Sequence, residues 1–311
     1  MFLKNIKLSR YSNYRIGGRA SYFFEAKNIE EIKSALGKWR AIGNGKPIFI
    51  FGGGTNLLIN DDGFDGLVLK IFDGGLTAEG EKIRAGAGIQ MSELLNYSIT
   101  RSLSGLEWAG GLPGTVGGAV RGNAGAFSGE TKDNILEVIS LDISGKNPKL
   151  VKRSAGQCQF GYRNSVYKIN DGREIILEAV FGLKKGDGKI IAEKIGEKIA
   201  YRISRQPLEY PNIGSIFKNV DLRLVPPRYR KKWANIVKSD PFPVLPTAHI
   251  ISEAGLKGVS CGGAMISPKH PNFIVNVLDA SSEDVKKLIK LVKGEVKRKF
   301  EVILEEEVIY L

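Results

Sequence analysis

The chain is poor in cysteine and histidine and has no long apolar run. Two cysteines, Cys158 and Cys261, and two histidines occur in 311 residues, and neither type has the spacing of a metal site. We therefore expect reduced thiols and no bound metal. No stretch approaches the ~18 to 20 apolar residues of a membrane span, and the opening segment stays polar. We expect a cytoplasmic protein with no membrane partner.

Two common nucleotide-binding signatures are also missing. Neither G-x-G-x-x-G nor G-x-x-x-x-G-K-[ST] occurs in the sequence, which removes the Rossmann fingerprint and the P-loop as explanations of the glycines. Glycine itself is abundant, with 38 in 311 residues against a norm of roughly 7%. Many backbone positions therefore need unusual conformational freedom or close approach to a neighbour.

Basic residues outnumber acidic ones. Lys and Arg total 46 and Asp and Glu 33, giving a formal net charge of +13. This excess favours an anionic partner, which leaves nucleic acid, a membrane surface and phosphorylated small molecules open. Many lysines fall in residues 281–300, where apolar residues recur at helical spacing. That pattern predicts an amphipathic helix with a solvated basic face.

Periodicity divides the chain into three α/β parts. It predicts helices at 29–42 and about 91–103, a helix along Ile191 to Ile203, and strands at 48–51, 67–69, 135–143, 175–183 and 308–310. Residues 105–129 are too rich in glycine for a regular element. Pro207 and Pro211 indicate a boundary near 206. We predict domains 1–72, 73–205 and 206–311, the last with a long proline-rich segment at about 220–248.

Two glycine segments have the character of a ligand cradle. Gly52, Gly53 and Gly54 follow the buried strand 48–51, so their amides can turn toward phosphate oxygens without side-chain obstruction. This signal alone is weak, and a plain tight turn explains it equally well. The second segment, residues 110–119 (GGLPGTVGGA), places a proline between glycine pairs and predicts a stiff loop with accessible amides.

Together with residues 121–126 (RGNAGA), the second segment resembles the pyrophosphate and isoalloxazine loops of UDP-N-acetylenolpyruvoylglucosamine reductases. Six ordered segments follow that family's pattern along most of the chain: 12–18 (SNYRIGG), 52–58 (GGGTNLL), 160–165 (FGYRNS), 214–219 (GSIFKN), 253–258 (EAGLKG) and 304–308 (LEEEV). Between Tyr162 and Arg202 the chain lacks the inserted segment that carries a capping tyrosine in one branch of the family. It resembles the other branch, type II.

The resemblance implies an α+β protein with a two-subdomain FAD-binding fold of the PCMH/vanillyl-alcohol-oxidase type and a C-terminal α+β substrate-binding domain. It implies noncovalent FAD, NADPH as reductant and a UDP-sugar enolpyruvyl ether as substrate, in peptidoglycan precursor synthesis. We expect a monomer or weak oligomer. The implied cofactor-binding residues are Gly52, Gly53, Gly54, Thr55, Asn56, Gly111, Pro113, Gly114, Thr115, Gly117, Gly118 and Asn123.

Hydride addition to the enolpyruvyl group leaves negative charge that needs a cation, and a carbon that needs a proton. In the roles that the resemblance implies, Ser215 donates the proton, Arg163 stabilises the charge and Glu307 orients the network. Arg163 suits its role because its planar guanidinium stays charged and matches a carboxylate. Arg202 and Arg205 are expected to grip the diphosphate. The implied substrate contacts are Tyr162, Arg202, Arg205, Lys218 and Asn219; His270 receives no role.

Departures from the family pattern are Val220 and Glu306, which replace usual prolines, and Met265 in place of a common glutamine. The segment 220–248 is about twenty residues longer than the family pattern, and we expect a partly ordered surface excursion. Two other readings remain open. One is an oxidase with related FAD-binding architecture, disfavoured because the histidines and cysteines are badly placed for covalent flavin. The other is a nucleic-acid-binding protein, suggested by the charge and by Arg228 to Lys232, although no known module is present.

Overall fold

The computed structural model describes residues 1–72 and 74–311 and divides them into two compact units. The first unit comprises Met1–Ile6, Ala20–Gly53 and Phe64–Arg202, and the second comprises Lys7–Arg19, Gly54–Gly63 and Ile203–Leu311. The three-part division expected from the sequence stays a prediction. In the described part of the chain, no helix combines the length and apolar character needed to cross a membrane.

Helices and strands are both distributed along the described chain. The α-helices are α1 (Ile29–Ile42), α2 (Met91–Thr100), α3 (Val116–Gly122), α4 (Val166–Ile169), α5 (Gly188–Arg205), α6 (Pro227–Lys232), α7 (Thr247–Glu253) and α8 (Ser282–Phe300). The strands are β1 (Leu3–Lys7), β2 (Arg19–Ala26), β3 (Ile48–Phe51), β4 (Leu57–Leu58), β5 (Phe64–Ile71), β6 (Leu76–Glu79), β7 (Lys82–Gly86), β8 (Leu103–Ser104), β9 (Gly125–Ala126), β10 (Gly129–Glu130), β11 (Ile135–Asp142), β12 (Lys149–Ser154), β13 (Glu174–Gly182), β14 (Lys184–Lys185), β15 (Val220–Asp221), β16 (Val244–Leu245), β17 (Ser260–Cys261), β18 (Ala264–Ile266), β19 (Ile274–Asn276) and β20 (Ile309–Tyr310).

The first unit contains a four-stranded sheet in the order β1-β2-β5-β3, in which β5 pairs in parallel with both β2 and β3. Helix α1 begins where the Asn28 side chain accepts a hydrogen bond from the Glu31 amide, a typical N-cap. Its apolar side, including Leu36, joins a core with Leu69 of β5. The predicted helix 29–42 and strand 48–51 are confirmed.

A second, antiparallel sheet of the first unit has the order β12-β11-β13-β7-β6. Its inner face packs with α2, α3 and the start of α5 in one core that includes Leu94, Val120 and Ile195. The strands predicted at 135–143 and 175–183 are confirmed within a residue at each end. The helix predicted at 91–103 is shorter, since α2 ends at Thr100 and residues 103–104 form β8.

The expectation that residues 105–129 form no regular element is wrong, because α3 lies within them. Its N-terminus is capped by the Thr115 side chain, which accepts from the Gly118 amide. It ends at Asn123, which adopts a left-handed conformation at φ 41°. Buried Val116, Ala119 and Val120 supply enough apolar contact to hold a seven-residue helix despite its glycines.

The second unit is built around α8 and short strands. Ser281 and Asp284 form a capping box at the start of α8, and one side of the helix, including Leu288 and Val292, is buried in the core. Strands β17, β18 and β19 form a three-stranded sheet, and β20 pairs in parallel with β4. The predicted lysine-rich helix and terminal strand are confirmed.

The long segment 220–248 packs on the core of this unit, unlike the partly ordered excursion that we expected. Strands β15 and β16 pair at its base. Trp233, which is 2% exposed, lies against Phe300 of α8 and stacks on Tyr229 with ring centroids 5.0 Å apart. Pro226 and Pro246 stand at the N-caps of α6 and α7, and buried Trp233 anchors the segment.

Candidate functional site

The two glycine segments of the first unit meet at backbone distance. A Cβ on Gly53 would lie 2.9 Å from the Cα of Gly114, and one on Gly52 would lie 3.0 Å from Oγ1 of Thr115. Real Cβ atoms do not approach backbone this closely, so only glycine fits at residue 53. The backbones form a cradle whose amides are not covered by side chains of residues 52 and 53.

The second glycine segment is held in place by its own backbone. Gly114 accepts a hydrogen bond from the Met91 amide at 2.9 Å, and Gly117 donates to Ala87 at 2.8 Å. Gly111 and Gly114 adopt positive φ values of 69° and 101°, which favour glycine. Pro113 is exposed on this loop, and Gly118 is exposed in the first turn of α3. The segment is a fixed turn, as the sequence predicted from its Gly-Leu-Pro-Gly pattern.

Asn123 is a structural residue of the same region. It is fully buried, and its side-chain nitrogen donates to Gly161 at 2.9 Å and to Glu130 at 3.2 Å. Its side-chain oxygen accepts from the Lys132 amide at 3.0 Å. These bonds hold the turn after α3 against residues 130–132 and 161, and the predicted cofactor contact of Asn123 stays a prediction.

Arg163 occupies a turn in a conformation that non-glycine residues seldom adopt, at φ 54°. Its guanidinium donates to the carbonyl oxygen of Gly125 at 2.9 Å and lies 5.3 Å from the ring centre of Tyr162. A Cβ on Gly125 would lie 3.3 Å from one of its nitrogens. The turn, the ring and the glycine together fix where this cation points.

Arg202 of α5 is 9% exposed and carries a buried charge. Its Nε donates to the Gly110 carbonyl oxygen at 2.8 Å, and its guanidinium lies 5.3 Å from the ring of Phe127. Within the described residues its Nη2 has no hydrogen-bond partner. Burial and then the charge of Arg163 lower its pKa to about 10. A buried cation with an unpaired donor suits an anionic ligand.

Arg205, the other predicted diphosphate contact, is exposed.

Ser215 and Glu307 are brought together in the second unit. The Glu307 amide donates to the carbonyl oxygen of Ile216 at 2.8 Å, and Phe217 forms an isolated antiparallel bridge with Glu306. Ser215 itself is half-buried at the start of this contact. Two backbone segments about ninety positions apart in sequence therefore pair directly after Ser215, and the catalytic roles of Ser215 and Glu307 stay predictions.

The structure distinguishes the three consecutive acids by their partners. Glu305 is exposed and pairs with Lys218, whereas Glu306 pairs with Lys293 at 2.6 Å and accepts from Tyr310. Burial raises the pKa of Glu306, but the bonds from Lys293 and Tyr310 outweigh it and hold the pKa below its ordinary value. Glu305 and Glu306 are thus both engaged in ion pairs, and the role of Glu307 stays a prediction.

Lys218 and Asn219 are held at the start of α7. The hydroxyl of Thr247 donates to the Lys218 carbonyl oxygen at 2.5 Å, and the Thr247 amide donates to the Asn219 side chain at 3.2 Å. Thr247 is fully buried. These bonds fix the end of the Ser215 segment.

Gly54, Thr55 and Asn56 belong to the second unit. Gly54 has φ 64° and accepts from the Asn13 amide at 3.1 Å. The Asn56 side chain donates to the carbonyl oxygen of Glu307 at 3.0 Å. Asn56 therefore positions the backbone of the proposed catalytic acid, and the predicted cofactor contacts of these three residues stay predictions.

His270 lies in the loop after β18. Its ring meets Phe273 edge-on with centroids 4.7 Å apart, and burial lowers its pKa to about 4. The side chain is neutral at physiological pH.

Sequence reasoning missed three residues of these arrangements. Phe127 lies under Arg202, Thr247 holds Lys218, and Asn272 bonds to the backbone of Phe217. Phe127 directly follows the recognised Gly-Ala pair, so its position was a usable signal. Thr247 and Asn272 act across a distance in sequence that no local pattern reveals.

Comparison with known proteins shows which families this chain is similar to. A family model described as an FAD binding domain matches residues 20–147, and one described as the UDP-N-acetylenolpyruvoylglucosamine reductase C-terminal domain matches residues 206–311. The chain is similar to the UDP-N-acetylenolpyruvoylglucosamine reductase of Clostridium tetani, at 35% identity over 99% of this chain and 91% of the relative. The enzyme of that name from Clostridium novyi is 35% identical over 98% of this chain and 90% of its own.

A solved structure is also similar. The crystal structure of UDP-N-acetylenolpyruvylglucosamine reductase from Thermus caldophilus superposes with a TM-score of 0.77 at 28% identity. The match covers 100% of this chain and 99% of that one. Sequence and structure comparisons therefore agree over the whole length.

Proposed function

The chain belongs to the UDP-N-acetylenolpyruvoylglucosamine reductase family, and we propose that Ser215, Arg163 and Glu307 are the catalytic residues of its reaction. It is an FAD-dependent oxidoreductase that uses NADPH to reduce UDP-N-acetylglucosamine enolpyruvate to UDP-N-acetylmuramate in peptidoglycan precursor synthesis. The predicted family, cofactors, UDP-sugar substrate and FAD-binding α+β fold are confirmed. Assignment to the type II branch stays a prediction.

FAD fits the glycine cradle of the first unit. The backbones of Gly53 and Gly114 lie so close that a Cβ on Gly53 would meet the Gly114 backbone. Glycine amides in such an arrangement suit a pyrophosphate. FAD held there would supply the hydride chemistry that links NADPH to C3 of the enolpyruvyl group. We propose that residues 52–53 and 111–118 hold its pyrophosphate.

Ser215 is the proposed proton donor. Hydride addition at C3 places negative charge on C2 and the adjoining carboxylate, and protonation at C2 completes the reduction. A serine hydroxyl is a weak acid, so it acts only when its position is fixed and the charge that it protonates is close. The backbone bonds of residues 216–218 provide a fixed position. Glu307, whose amide bonds to Ile216, is the proposed orienting group.

Arg163 is the proposed cation for the developing charge. Its guanidinium stays protonated throughout, so it stabilises a carboxylate without giving up a proton. Arg163 lies in the first unit, and contacts with Gly125 and Tyr162 fix the orientation of its guanidinium. A fixed cation needs little reorganisation during the reaction, which is the basis of electrostatic catalysis.

Binding of the UDP-sugar is assigned to Tyr162, Arg202, Arg205, Lys218 and Asn219. The buried charge of Arg202, and its Nη2 without a hydrogen-bond partner among the residues that the structure describes, support its role most directly. Lys218 is paired with Glu305 and is therefore available to an anion only by exchange of partners. A cytoplasmic location, a monomer or weak oligomer, and the lack of nucleic-acid binding stay predictions.

The contact between Glu307 and the Ser215 segment carries the catalytic assignment, and two half-reactions test it. In stopped-flow absorbance, NADPH should reduce the flavin of Ser215→Ala within about 2-fold of the wild-type rate. Reoxidation by the UDP-sugar should be slowed at least about 100-fold, the usual effect of losing a general acid. Ser260→Ala, an exposed serine in the second unit, should leave both rates unchanged.

Two outcomes contradict these assignments separately. Rapid reoxidation of Ser215→Ala by the UDP-sugar excludes Ser215 as the proton donor but leaves the reaction intact. Wild-type flavin that stays reduced with the UDP-sugar yet reoxidises with oxygen favours the oxidase reading.

A further inference from the structure

The segment that carries Ser215 is held by hydrogen bonds from residues far away in sequence, and one side chain supplies two of them. We propose that Asn272 is a positioning residue for Ser215, acting through the backbone of Ile216 and Phe217. This inference rests on the proposed function, because it concerns the placement of the proposed proton donor. Asn272 does not touch the reacting atoms.

Asn272 brackets Phe217 completely. Its side-chain oxygen accepts from the Phe217 amide at 3.0 Å, and its side-chain nitrogen donates to the Phe217 carbonyl oxygen at 2.8 Å. Its own backbone oxygen accepts from the Ile216 amide at 2.8 Å. A primary amide has one acceptor and one donor side, so it satisfies both polar groups of one residue as a neighbouring strand does.

The hydrogen bonds from Asn272 are needed because the backbone amide and carbonyl of Phe217 are buried. Phe217 is 2% exposed and Asn272 is 3% exposed, so water does not readily replace a lost bond. An unpaired buried amide or carbonyl is unfavourable, because it has lost its hydrogen bonds to water and gained none in return. The backbone of residues 216–217 should therefore shift rather than stay in place when the amide is removed.

Asn272 is itself rigidly presented. It lies in a turn in which the Ser267 amide donates to Phe273 at 2.9 Å and the Phe273 amide donates to His270 at 2.9 Å. On the opposite side of the segment, Glu307 and Glu305 bond to Ile216 and Lys218. Ser215 directly precedes residues 216–218, which are held from both sides. The position of its hydroxyl therefore depends on the position of those residues. A displacement of about 1 Å at a reacting group lowers a rate by up to about 100-fold.

The structure offers a matched control in Asn276. It is 8% exposed, its side-chain nitrogen donates to Tyr14 at 3.0 Å, and its oxygen accepts from Ala280 at 2.8 Å. Asn276 thus makes the same two kinds of backbone bond in the same unit, but not to the Ser215 segment. Replacing either asparagine by alanine removes the same atoms from a buried site.

Pre-steady-state rates separate positioning from general damage. Asn272→Ala should slow flavin reoxidation by the UDP-sugar about 10- to 100-fold while NADPH reduction stays within about 2-fold of wild type. Asn276→Ala should lower the thermal midpoint and leave both rates near wild type. If Asn272→Ala does not fold, Asn272→Ser, which retains one hydrogen-bonding group, should slow reoxidation by at least about 3-fold.

A double mutant decides whether Asn272 acts through Ser215. In the Ser215→Ala background, adding Asn272→Ala should slow reoxidation by less than about 3-fold, because residues acting as a unit are not additive. A full further loss, or equal effects of Asn272→Ala and Asn276→Ala, overturns the proposal. If Ser215→Ala alone reoxidises normally, the proposed role of Ser215 fails instead, which is a different result.

Discussion

The glycine cradle of the first unit and the Ser215 segment of the second are fixed by different means. In the cradle, backbones touch, so a Cβ on Gly53 would lie 2.9 Å from Gly114. In the Ser215 segment, hydrogen bonds from Asn272, Thr247 and Glu307 hold the chain. The first arrangement depends on the absence of side chains and the second on the presence of particular ones.

This difference explains how each region responds to change. Added atoms in the cradle must displace backbone, so even a methyl group opens it. Atoms removed around the Ser215 segment leave buried polar groups unpaired and allow the segment to move. The cradle is therefore sensitive to substitutions that add side-chain atoms. The Ser215 segment is sensitive to substitutions that remove them.

The largest expected effect comes from adding one methyl group to the cradle. Gly53→Ala should weaken FAD binding about 10- to 100-fold, since overpacking against backbone costs about 1–3 kcal/mol. Fluorescence titration of apoprotein with FAD measures the change.

A control glycine in the same unit separates this effect from glycine replacement in general. Gly196 lies within α5, where an added Cβ would meet no atom within 4 Å. Gly196→Ala should leave FAD affinity unchanged and raise stability by about 1 kcal/mol through helix propensity. Equal FAD affinity of the two variants contradicts the close-contact account of the cradle.

A smaller effect is expected from deleting one hydroxyl beside the Ser215 segment. Thr247→Val keeps the shape of the side chain but removes the donor to Lys218. The KM for the UDP-sugar should rise about 3- to 10-fold, since one buried hydrogen bond is worth about 0.5–1.5 kcal/mol. Flavin reduction by NADPH should stay unchanged.

Thr247→Ser is the conservative counterpart, because it keeps the hydroxyl that bonds to Lys218. Its KM should lie within about 2-fold of wild type. A serine variant as impaired as the valine variant points to lost packing of the methyl group. In that case the hydrogen bond is not what fixes the segment.

The cradle could be predicted from the sequence because its signal is local. Glycines after a buried strand, and a proline between glycine pairs, mark backbone that must turn or approach closely. The amphipathic patterns of α1 and α8 were equally local, since helical spacing is visible within one segment. The same reasoning failed at α3, because buried Val116 and Val120 outweigh the low helix propensity of its glycines.

The supports of the Ser215 segment could not be predicted because they are contacts between distant residues. Nothing in the local sequence of Pro271-Asn272 shows that its amide bonds to Phe217, 55 positions earlier. Likewise, the local sequence of three consecutive acids does not show that Glu305 pairs with Lys218 and Glu306 with Lys293. The family resemblance supplied Ser215 and Glu307 themselves, but not what holds them.

A further expected effect concerns the loop that presents Asn272. His270 lies two residues earlier, and burial lowers its pKa to about 4 in the folded protein, against about 6.5 in an unfolded chain. Between these values the unfolded state binds a proton that the folded state does not. Stability should therefore fall as pH drops through about 6.5 and level off near 4.

His270→Gln removes this titration and tests whether it acts on the loop. Urea unfolding at pH 8 and pH 5 should show a loss of stability that is smaller in the variant than in wild type by roughly 1–2 kcal/mol. Carboxylates contribute to the acid loss in both proteins, so only the difference between them reports on His270. With a pKa of about 4, His270 is still largely neutral at pH 5 in the folded protein, so flavin reoxidation by the UDP-sugar should have the same pH dependence in both proteins. Identical pH dependence of stability in the two proteins contradicts burial of a neutral His270.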